Sequence, residues 1–589
     1  MLACSAPTAV DGAMKAQVEG DGEQVLTEDS GSMRDQRRLL LDTVLLGVVG
    51  ALSAQAFMLM LRVTNHFFLE VLAGYRSPGL PEEGGILQQA IGPHGLWFIP
   101  LVTALGGLLS GILVYSLAPE AEGHGTDTAV KAFHHAAGFI RARVAPLKMI
   151  ASAITIGSGG AAGREGPTAL VSAGISSIYG TLTHRTDEDR RLLVLIGMAA
   201  GLSAIFRSPL GTAFFAIEVL YSEMEFDVGA LLYTMLGSVV AYAVNGLFVG
   251  YRPLFNVPLG LAGPVFWDYI WYVLLGISAG LVATIVPSLF YGIRDAFRAL
   301  PVPAHIKPAI GGFGVGLLAL WLPQVLGGGY GWIQEAIDGR LAFSLMLILV
   351  LAKMLAFSLT VSSGGSGGIF APCLFVGAML GGVLADAFHQ PSAAFVIVGM
   401  AAVFAGAARV PIAAVLMVTE MTEGYQLLVP AALAVMLSYL IQVAFSARLK
   451  YRSIYEGQVP SRADSPAHQV EHLETVLRLL SDRRFSVPAS ITHLDLRALL
   501  GSGIPVDLPG GDQMIIGVLK QESPYVGKPI QAWPVMERQE DIEIVAVFRK
   551  GSTVLPHSAL KLQAGDRLLI ITSPTGRELL KDDISLSLG

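Results

Sequence analysis

The stretch Lys148–Pro167, KMIASAITIGSGGAAGREGP, decides the fold of this chain because a second copy of it follows. That copy is Lys353–Pro372, KMLAFSLTVSSGGSGGIFAP, and nine of the twenty positions are identical. A further pair, Gly197–Glu218 and Gly399–Glu420, keeps Gly, Met, two Ala, Arg, Pro and Glu in register. The offsets, 205 and 202 residues, indicate one duplicated unit. Repeats whose apolar segments are broken by Gly and Pro at corresponding places point to an ion or substrate site in mid-membrane.

Composition indicates a membrane protein, since 53% of the residues are hydrophobic and 14% are charged, against about 25% charged in soluble domains. Five weakly charged runs approach or exceed the ~20 residues that cross a bilayer: Leu39–Leu61, Trp97–Leu117, Val228–Val249, Tyr269–Leu289 and Phe343–Val361. Shorter apolar segments end in Gly or Pro, so we expect half-helices that meet inside the bilayer. The sequence therefore predicts an all-α membrane domain over residues 34–456, with two inverted repeats at about 37–250 and 266–447.

Basic residues flank this domain on both sides: Arg34, Arg37, Arg38, Arg448, Lys450 and Arg452. By the positive-inside rule, both termini are expected in the cytoplasm. The protein itself is expected in the inner membrane of a prokaryote. Residues 1–33 are polar and acidic with no signal-peptide hydrophobic region, and we expect a disordered tail.

The composition changes beyond Tyr455. Residues 457–510 are interpreted as a linker that contains an amphipathic helix at Val470–Arg484. Residues 511–583 contain the strand-like runs MIIGVL, IEIVAVF and DRLLIIT, which predict a small α/β cytoplasmic domain. A domain of ~70 residues is marginal alone, so pairing with a second copy is expected.

The motif GREGP places Arg164–Glu165 between two glycines where a half-helix should begin. The second copy offers an equivalent helix start at Gly368–Phe370. A helix N-terminus combines unpaired N–H groups with the positive end of a dipole, which suits an anion. Two such starts facing each other would form an anion pore that needs no metal and no cofactor.

Glu165 is the candidate gate of this pore, because a carboxylate inside a bilayer is costly and indicates function. When ionised, Glu165 can occupy the anion site, and it leaves when it is protonated or displaced by an anion. It therefore acts as gate and proton acceptor in one group. At the equivalent position the second repeat has Phe370, an apolar plug or wall. The alternative is a structural salt bridge of Glu165 with Arg164 or Lys148.

These motifs resemble the CLC family of chloride channels and proton-coupled chloride transporters. The similarity covers roughly Arg37–Tyr455 and includes GREGP, GIFAP, FRSPLGTAFFAIE, EMTEGYQLLVP and the lysine seventeen residues before the glutamate, Lys148. The resemblance implies a homodimer with one chloride pore per subunit and Glu165 as the gating glutamate. It also implies that Tyr455 is the inner-gate tyrosine, with Tyr451 as the alternative.

The same resemblance makes the backbone amides of Ile369 and Phe370 central anion ligands. The full set of anion-binding residues that it implies is Arg164, Gly166, Gly368, Ile369, Phe370, Tyr455, His124 and Gly125. The residues expected to support the helices around the pore are Lys148, Gly163, Pro167 and Pro372.

The first departure from the family pattern lies at Gly123–Asp127, which reads GHGTD where the family has GSGIP. His124 therefore replaces the serine whose hydroxyl helps to coordinate the central anion. An imidazole N–H can donate to an anion and can add pH sensitivity. The alternative is a His124 ring turned away, with only backbone amides serving the anion. In either case, the sequence does not decide whether the site strictly prefers chloride to other anions.

The second departure is Val219, which stands where proton-coupled members carry an internal glutamate directly after the position of Glu218. A valine cannot relay a proton, so this position favours a passive channel or a weakly coupled transporter over a chloride/proton antiporter. Glu218 and Glu420 recur in both repeats, which suggests a structural role at helix ends.

The C-terminal domain resembles the TrkA-C module of potassium-conductance regulators, on the segments Glu522–Ile530 and Ala564–Thr572. The resemblance implies dimerisation and regulation by a small molecule or ion. A cation-coupled organic-solute symporter is a distant alternative, because it would need carboxylates or carbonyls arranged for a cation. The sequence offers no nucleophile–base pair for an enzyme, no metal motif and no pattern for binding nucleic acid.

Overall fold

The computed structural model describes residues 10–224, 228–257, 264–461, 465, 506–507, 513–533, 542–549, 552–554, 560–573, 580 and 583–585. The helices of the first repeat are α1 (Val10–Asn65), α2 (Ile99–Leu117), α3 (Thr126–His135), α4 (Val144–Gly157), α5 (Glu165–Leu182), α6 (Asp187–Phe206), α7 (Pro209–Glu218) and α8 (Val228–Val249). Those of the second are α9 (Tyr269–Ala299), α10 (Lys307–Ala319), α11 (Tyr330–Ile337), α12 (Phe343–Ser362), α13 (Phe370–Phe388), α14 (Ser392–Ala408), α15 (Pro411–Thr422) and α16 (Leu428–Ser446).

The helical membrane domain predicted from the composition is confirmed. Seven helices within the described residues are long and apolar enough to span a membrane, and they include the five predicted runs. The two further spans are Phe370–Phe388 and Tyr425–Ser446. Apolar helices such as α4, α14 and α15 are shorter than a full crossing, so the broken-helix character of both repeats is also confirmed.

The two repeats run in opposite directions, as α7 and α15 demonstrate. At the end of α7, the Glu218 carboxylate accepts the Ala413 amide at the start of α15 over 2.7 Å. In return, Glu420 near the end of α15 accepts the Gly211 amide at the start of α7 over 2.9 Å. The two helices are therefore antiparallel, and each carboxylate satisfies amides that a helix N-terminus leaves unpaired. The structural role expected for both glutamates is confirmed.

Residues 10–33 form the N-terminal part of α1, which continues into the first membrane-spanning run. This segment contains no proline and several good helix formers, among them Ala, Met, Lys, Gln and Glu.

Two short strands, β1 (Tyr75–Arg76) and β2 (Ala90–Ile91), pair in the α1–α2 loop. The strands of the C-terminal domain are β3 (Val506–Asp507), β4 (Gln513–Leu519), β5 (Ile542–Arg549), β6 (Ser552–Val554), β7 (Arg567–Thr572) and β8 (Ile584–Ser585). They form one antiparallel sheet in the order β3-β4-β7-β5-β6, with β8 paired to β4. Its core includes the buried Trp533, whose indole N–H donates to Asp583 over 3.0 Å. The expected amphipathic helix at Val470–Arg484 lies outside the described residues.

Candidate functional site

The starts of α5 and α13 meet at two equivalent glycines. The Gly163 amide donates to the Gly368 carbonyl over 2.7 Å, and the Gly368 amide donates to the Gly163 carbonyl over 2.6 Å. Two residues further on, α5 begins at Glu165 and α13 at Phe370. The free amides and positive dipole ends of two helices are thereby brought to one place inside the protein.

Prolines stand in the first turn of each of these helices, at Pro167 in α5 and Pro372 in α13. A proline is tolerated there because its missing N–H would have had no intrahelical partner. These two residues therefore fix the local helix starts without removing any hydrogen bond from the helix interior.

Two buried lysines hold the loops that lead into the neighbouring helices. The Lys148 ammonium donates to the carbonyls of Ala121, over 3.0 Å, and Gly123, over 2.6 Å. Lys353 donates in the same way to Val325 and Gly327, over 2.8 and 2.7 Å. The ammonium groups thus stabilise the turns before α3 and α11, and Lys148 does so rather than pairing with Glu165.

The Glu165 side chain is 1% exposed and lies at the meeting point of the two helix starts. An ideal Cβ built on Gly163 would lie 2.1 Å from Glu165 Oε2 and 3.1 Å from the Ala371 nitrogen of α13. The Glu165 carboxylate is therefore packed closely against Gly163 and the start of α13. Within the described residues Oε2 has no hydrogen-bond partner, whereas Oε1 accepts a hydrogen bond from the Tyr330 hydroxyl.

Arg164, predicted as an anion ligand, directs its side chain away from the helix starts. Its guanidinium forms an ion pair with Glu83 of the α1–α2 loop, at 2.9 Å from Nη1 to Oε2, and lies 4.6 Å from the centre of the Tyr330 ring. Its Nε is 3.9 Å from Glu165 Oε1, so the alternative salt bridge exists only as a long contact. In this arrangement Glu83 engages Nη1 and Nη2 of Arg164, whereas Nε has no hydrogen-bond partner among the described residues.

Burial alone would raise the pKa of Glu83, but attraction and hydrogen bonds from Arg164 hold that pKa below its ordinary value. Glu83 is therefore ionised at neutral pH and keeps the guanidinium in place. This ion pair links the α1–α2 loop to Arg164, the residue that precedes the candidate gate.

Tyr330 is the functional candidate that the sequence reasoning missed. It is the first residue of α11 and follows the run Gly327–Gly328–Gly329. That run corresponds to Gly123–Gly125 of the first repeat, because Lys148 and Lys353 hold equivalent carbonyls in both. Extending the repeat to this segment would have placed Tyr330 opposite Thr126.

Phe370 has the apolar surroundings expected of a plug or wall. Its buried ring lies 4.0 Å from the Phe404 ring and 4.4 Å from the Phe206 ring, measured between centroids. Those two residues are in α14 and α6, so helices from both repeats contribute to the aromatic cluster. The first repeat has the carboxylate of Glu165 where the second has this packed ring.

The rings of His124 and Tyr455 lie together near the start of α5. Their ring centroids are 5.4 Å apart. The His124 side chain is 7% exposed, and its Nδ1 has no hydrogen-bond partner among the described residues. A Cβ on Gly166 would lie 2.0 Å from the His124 carbonyl, so only glycine permits the loop to approach the start of α5. Gly125, with φ of +89°, makes the turn into α3.

The second candidate for the inner gate, Tyr451, lies elsewhere. Its hydroxyl donates to Asp295 over 2.8 Å, and its ring stacks on Tyr291 at 4.5 Å. The geometry thus favours Tyr455 over Tyr451 as the tyrosine beside the candidate pore.

Val219 directly follows α7 and is fully buried, at 0% exposure. Its neighbour Glu218 accepts amides from both Ile412 and Ala413. Glu218 is therefore engaged in capping α15, and the side chain at position 219 offers no titratable group.

A cavity of about 510 Å³ lies over the Glu83–Arg164 pair and Tyr330. It opens between the α1–α2 loop and the start of α11, and its lining includes three arginines, Arg62, Arg76 and Arg164, against two glutamates, Glu70 and Glu83. Basic side chains around such an opening raise the local concentration of anions. The cavity is therefore a suitable entrance to the site at Glu165.

Two inverted helical repeats, broken at a shared interior site with anion-binding character, define an integral membrane transport protein. The family description "Voltage gated chloride channel" matches residues 106–443, and the sequence motifs agree with it. The chain belongs to this family, the CLC family. A TrkA-C domain matches residues 516–584, which confirms the second resemblance.

Among curated relatives, the H(+)/Cl(-) exchange transporter ClcA of Cronobacter sakazakii is 33% identical over 360 residues, which cover 59% of this chain and 77% of that protein. ClcA of Salmonella agona is 33% identical over 365 residues, with 59% and 76% coverage. The solved structure of a slow cyanobacterial Cl-/H+ antiporter superposes with a TM-score of 0.62 at 22% identity, over 71% of this chain and 96% of that one. A CLC-type fluoride/proton antiporter gives 0.60 at 23% identity, over 72% and 98%.

Proposed function

We propose that the chain conducts chloride through a pore gated by Glu165, as a passive channel or a weakly coupled transporter. The observation that carries the proposal is the position of the Glu165 carboxylate, where α5 and α13 begin side by side. An ionised carboxylate there is stabilised by helix dipoles and amides that would otherwise stabilise an anion. Carboxylate and chloride therefore compete, and protonation of Glu165 frees the site.

The ligands of the anion are proposed to be backbone amides of both helix starts: Gly166 in α5, and Gly368, Ile369 and Phe370 in α13. His124 and Gly125 contribute from the loop before α3. The unpaired, buried Nδ1 of His124 and the nearby Tyr455 ring support a histidine that faces the pathway. Tyr455 then closes the inner end.

Weak coupling is proposed from Val219, because the buried valine offers no group that could carry a proton. The second candidate is chloride/proton exchange, which is favoured by the relatives at 33% identity that are named H(+)/Cl(-) exchange transporters. In that case, protons reach Glu165 by a route that does not use position 219.

We also propose that the protein is a homodimer with a pore in each subunit. The basic residues at both ends of the membrane domain support cytoplasmic termini on an inner membrane. The TrkA-C domain would then act in the cytoplasm, where it pairs with its copy and responds to a small ligand.

Liposomes containing the purified full-length protein test the function. Chloride efflux down a gradient is measured together with proton movement. Chloride flux without uphill proton movement supports the channel, and uphill proton pumping that Glu165→Gln abolishes supports exchange. Absence of any chloride flux in the wild type, with flux of another anion, would contradict the proposed substrate.

A further inference from the structure

The Glu165 carboxylate accepts a hydrogen bond from a tyrosine that has no part in the gate as proposed above. Tyr330, at the start of α11, donates its hydroxyl to Glu165 Oε1. These residues are 165 positions apart and come from different repeats. The gate of the first repeat is therefore contacted by a side chain of the second.

The Tyr330 ring is fixed on more than one side. The Arg164 guanidinium lies 4.6 Å from the ring centre, a geometry that attracts a cation to an aromatic face. The Phe255 ring lies 6.0 Å from it. Arg164 is itself held by the ion pair with Glu83. The phenol hydroxyl is thus pre-positioned toward the carboxylate.

We propose that Tyr330 is a positioning residue for the gate, and that its hydroxyl holds the ionised Glu165 in the anion site. The inference rests on the proposed role of Glu165. A hydrogen bond to an ionised group favours the ionised form. Loss of the bond therefore makes Glu165 easier to protonate and easier for an anion to displace.

The other groups around Glu165 attract its ionised form without donating a second side-chain hydrogen bond. Arg164, next to Glu165 in the chain, has its nearest guanidinium nitrogen 3.9 Å away and is paired with Glu83. From α13, the Ala371 backbone amide also interacts with the carboxylate, but it is a main-chain group that is retained in every side-chain variant. Tyr330 is the titratable side chain that α11 presents to the carboxylate.

The variant Tyr330→Phe isolates the hydroxyl, because it keeps the ring against Arg164 and Phe255. Chloride efflux from liposomes is measured over a series of external pH values. We expect about tenfold higher efflux at neutral pH. We also expect the midpoint of acid activation to move about one pH unit upward, since one unit corresponds to a tenfold change. An unchanged midpoint overturns the proposal.

Tyr75→Phe is the matched control. Tyr75 lies in the α1–α2 loop, which also carries Glu83. Its hydroxyl is buried as well and has no hydrogen-bond partner among the described residues. Its removal should leave the pH profile of efflux unchanged. An equal shift in both variants would mean that any lost phenol loosens this region, and it would contradict a specific role for Tyr330.

Glu165→Ala separates the failure of this inference from the failure of the gate itself. In that background, adding Tyr330→Phe should change neither efflux nor its pH dependence. A further increase would show that the hydroxyl acts through another group. If Glu165→Ala alone keeps the wild-type pH profile, the gate proposal fails. If Glu165→Ala removes the pH dependence while Tyr330→Phe behaves as wild type, only the role of Tyr330 is wrong.

Discussion

Gly163 and Gly368 hold the same position in the two repeats, and the amide of each donates to the carbonyl of the other. Such a reciprocal pair requires a two-fold relation between the repeats at this point. Because the pair lies directly before α5 and α13, it fixes how closely the two helix starts approach. The proposed anion site is therefore a product of the duplication itself.

The two glycines should differ in their response to alanine. A Cβ on Gly163 meets the flexible end of the Glu165 side chain at 2.1 Å, whereas a Cβ on Gly368 meets the Gly166 nitrogen at 2.8 Å and the Gly163 oxygen at 2.9 Å. Gly163→Ala should displace the carboxylate and raise chloride efflux at neutral pH. Gly368→Ala, which presses on backbone, should instead reduce folded yield. Equal chloride efflux and equal folded yield in the two variants would contradict the close approach of the Glu165 carboxylate to Gly163.

Replacement of the capping carboxylates should affect stability more than gating. Glu218→Gln weakens charge-assisted hydrogen bonds to the start of α15, and each such bond contributes about 1.5–3 kcal/mol. We expect a lower unfolding temperature in detergent with an unchanged pH profile of efflux. Glu420→Gln, its equivalent in the other repeat, is the matched variant. A changed pH profile would give Glu218 a place on the proton route.

Position 219 allows a gain-of-function test. Val219→Glu introduces a titratable group into a fully buried position, where burial favours its protonated form. If the valine is what limits coupling, the ratio of protons to chloride should rise. Val219→Gln, similar in size but unable to titrate, should leave the ratio unchanged. Equal ratios in the two variants would show that position 219 does not limit proton movement.

The contacts of the segment after α16 indicate where the C-terminal part can be removed. Residues 455–461 belong to the membrane domain: the Gly457 amide donates to Asp127 of α3, and the Ser222 amide donates to the Val459 carbonyl over 2.9 Å. Removal of Pro466–Gly589 should therefore preserve anion selectivity while altering activity or dimer stability. Truncation after Lys450, which also removes Tyr455, should abolish regulated flux. A changed selectivity after the first truncation would place the tail in the pathway.

The sequence predicts the parts of the site that the duplication repeats. The helix starts at Glu165 and Phe370, the broken helices and the capping glutamates all follow from motifs that occur twice. Family motifs added Tyr455 and the significance of Val219. These features are local, since each depends on a few neighbouring residues and on general rules for helix ends.

The contacts of the gate could not be predicted in this way. Arg164 meets Glu83 across 81 positions of the chain, and Tyr330 meets Glu165 across 165. Neither pair is repeated, because Ile369 replaces Arg164 and Thr126 replaces Tyr330 in the other half. The two repeats therefore differ in sequence at the contacts of Glu165. These partners are distant in the chain and come together only in the folded protein.

The proposed gate requires that the Glu165 carboxylate occupies an anion site formed by α5 and α13. Calorimetric titration of chloride into the purified protein in detergent tests it without any assumption about transport. Glu165→Gln should bind chloride about tenfold more tightly than the wild type, a difference of about 1.4 kcal/mol, because the competing charge is gone. Equal chloride affinity of the two proteins would mean that the carboxylate does not occupy the site, and it would contradict the gate.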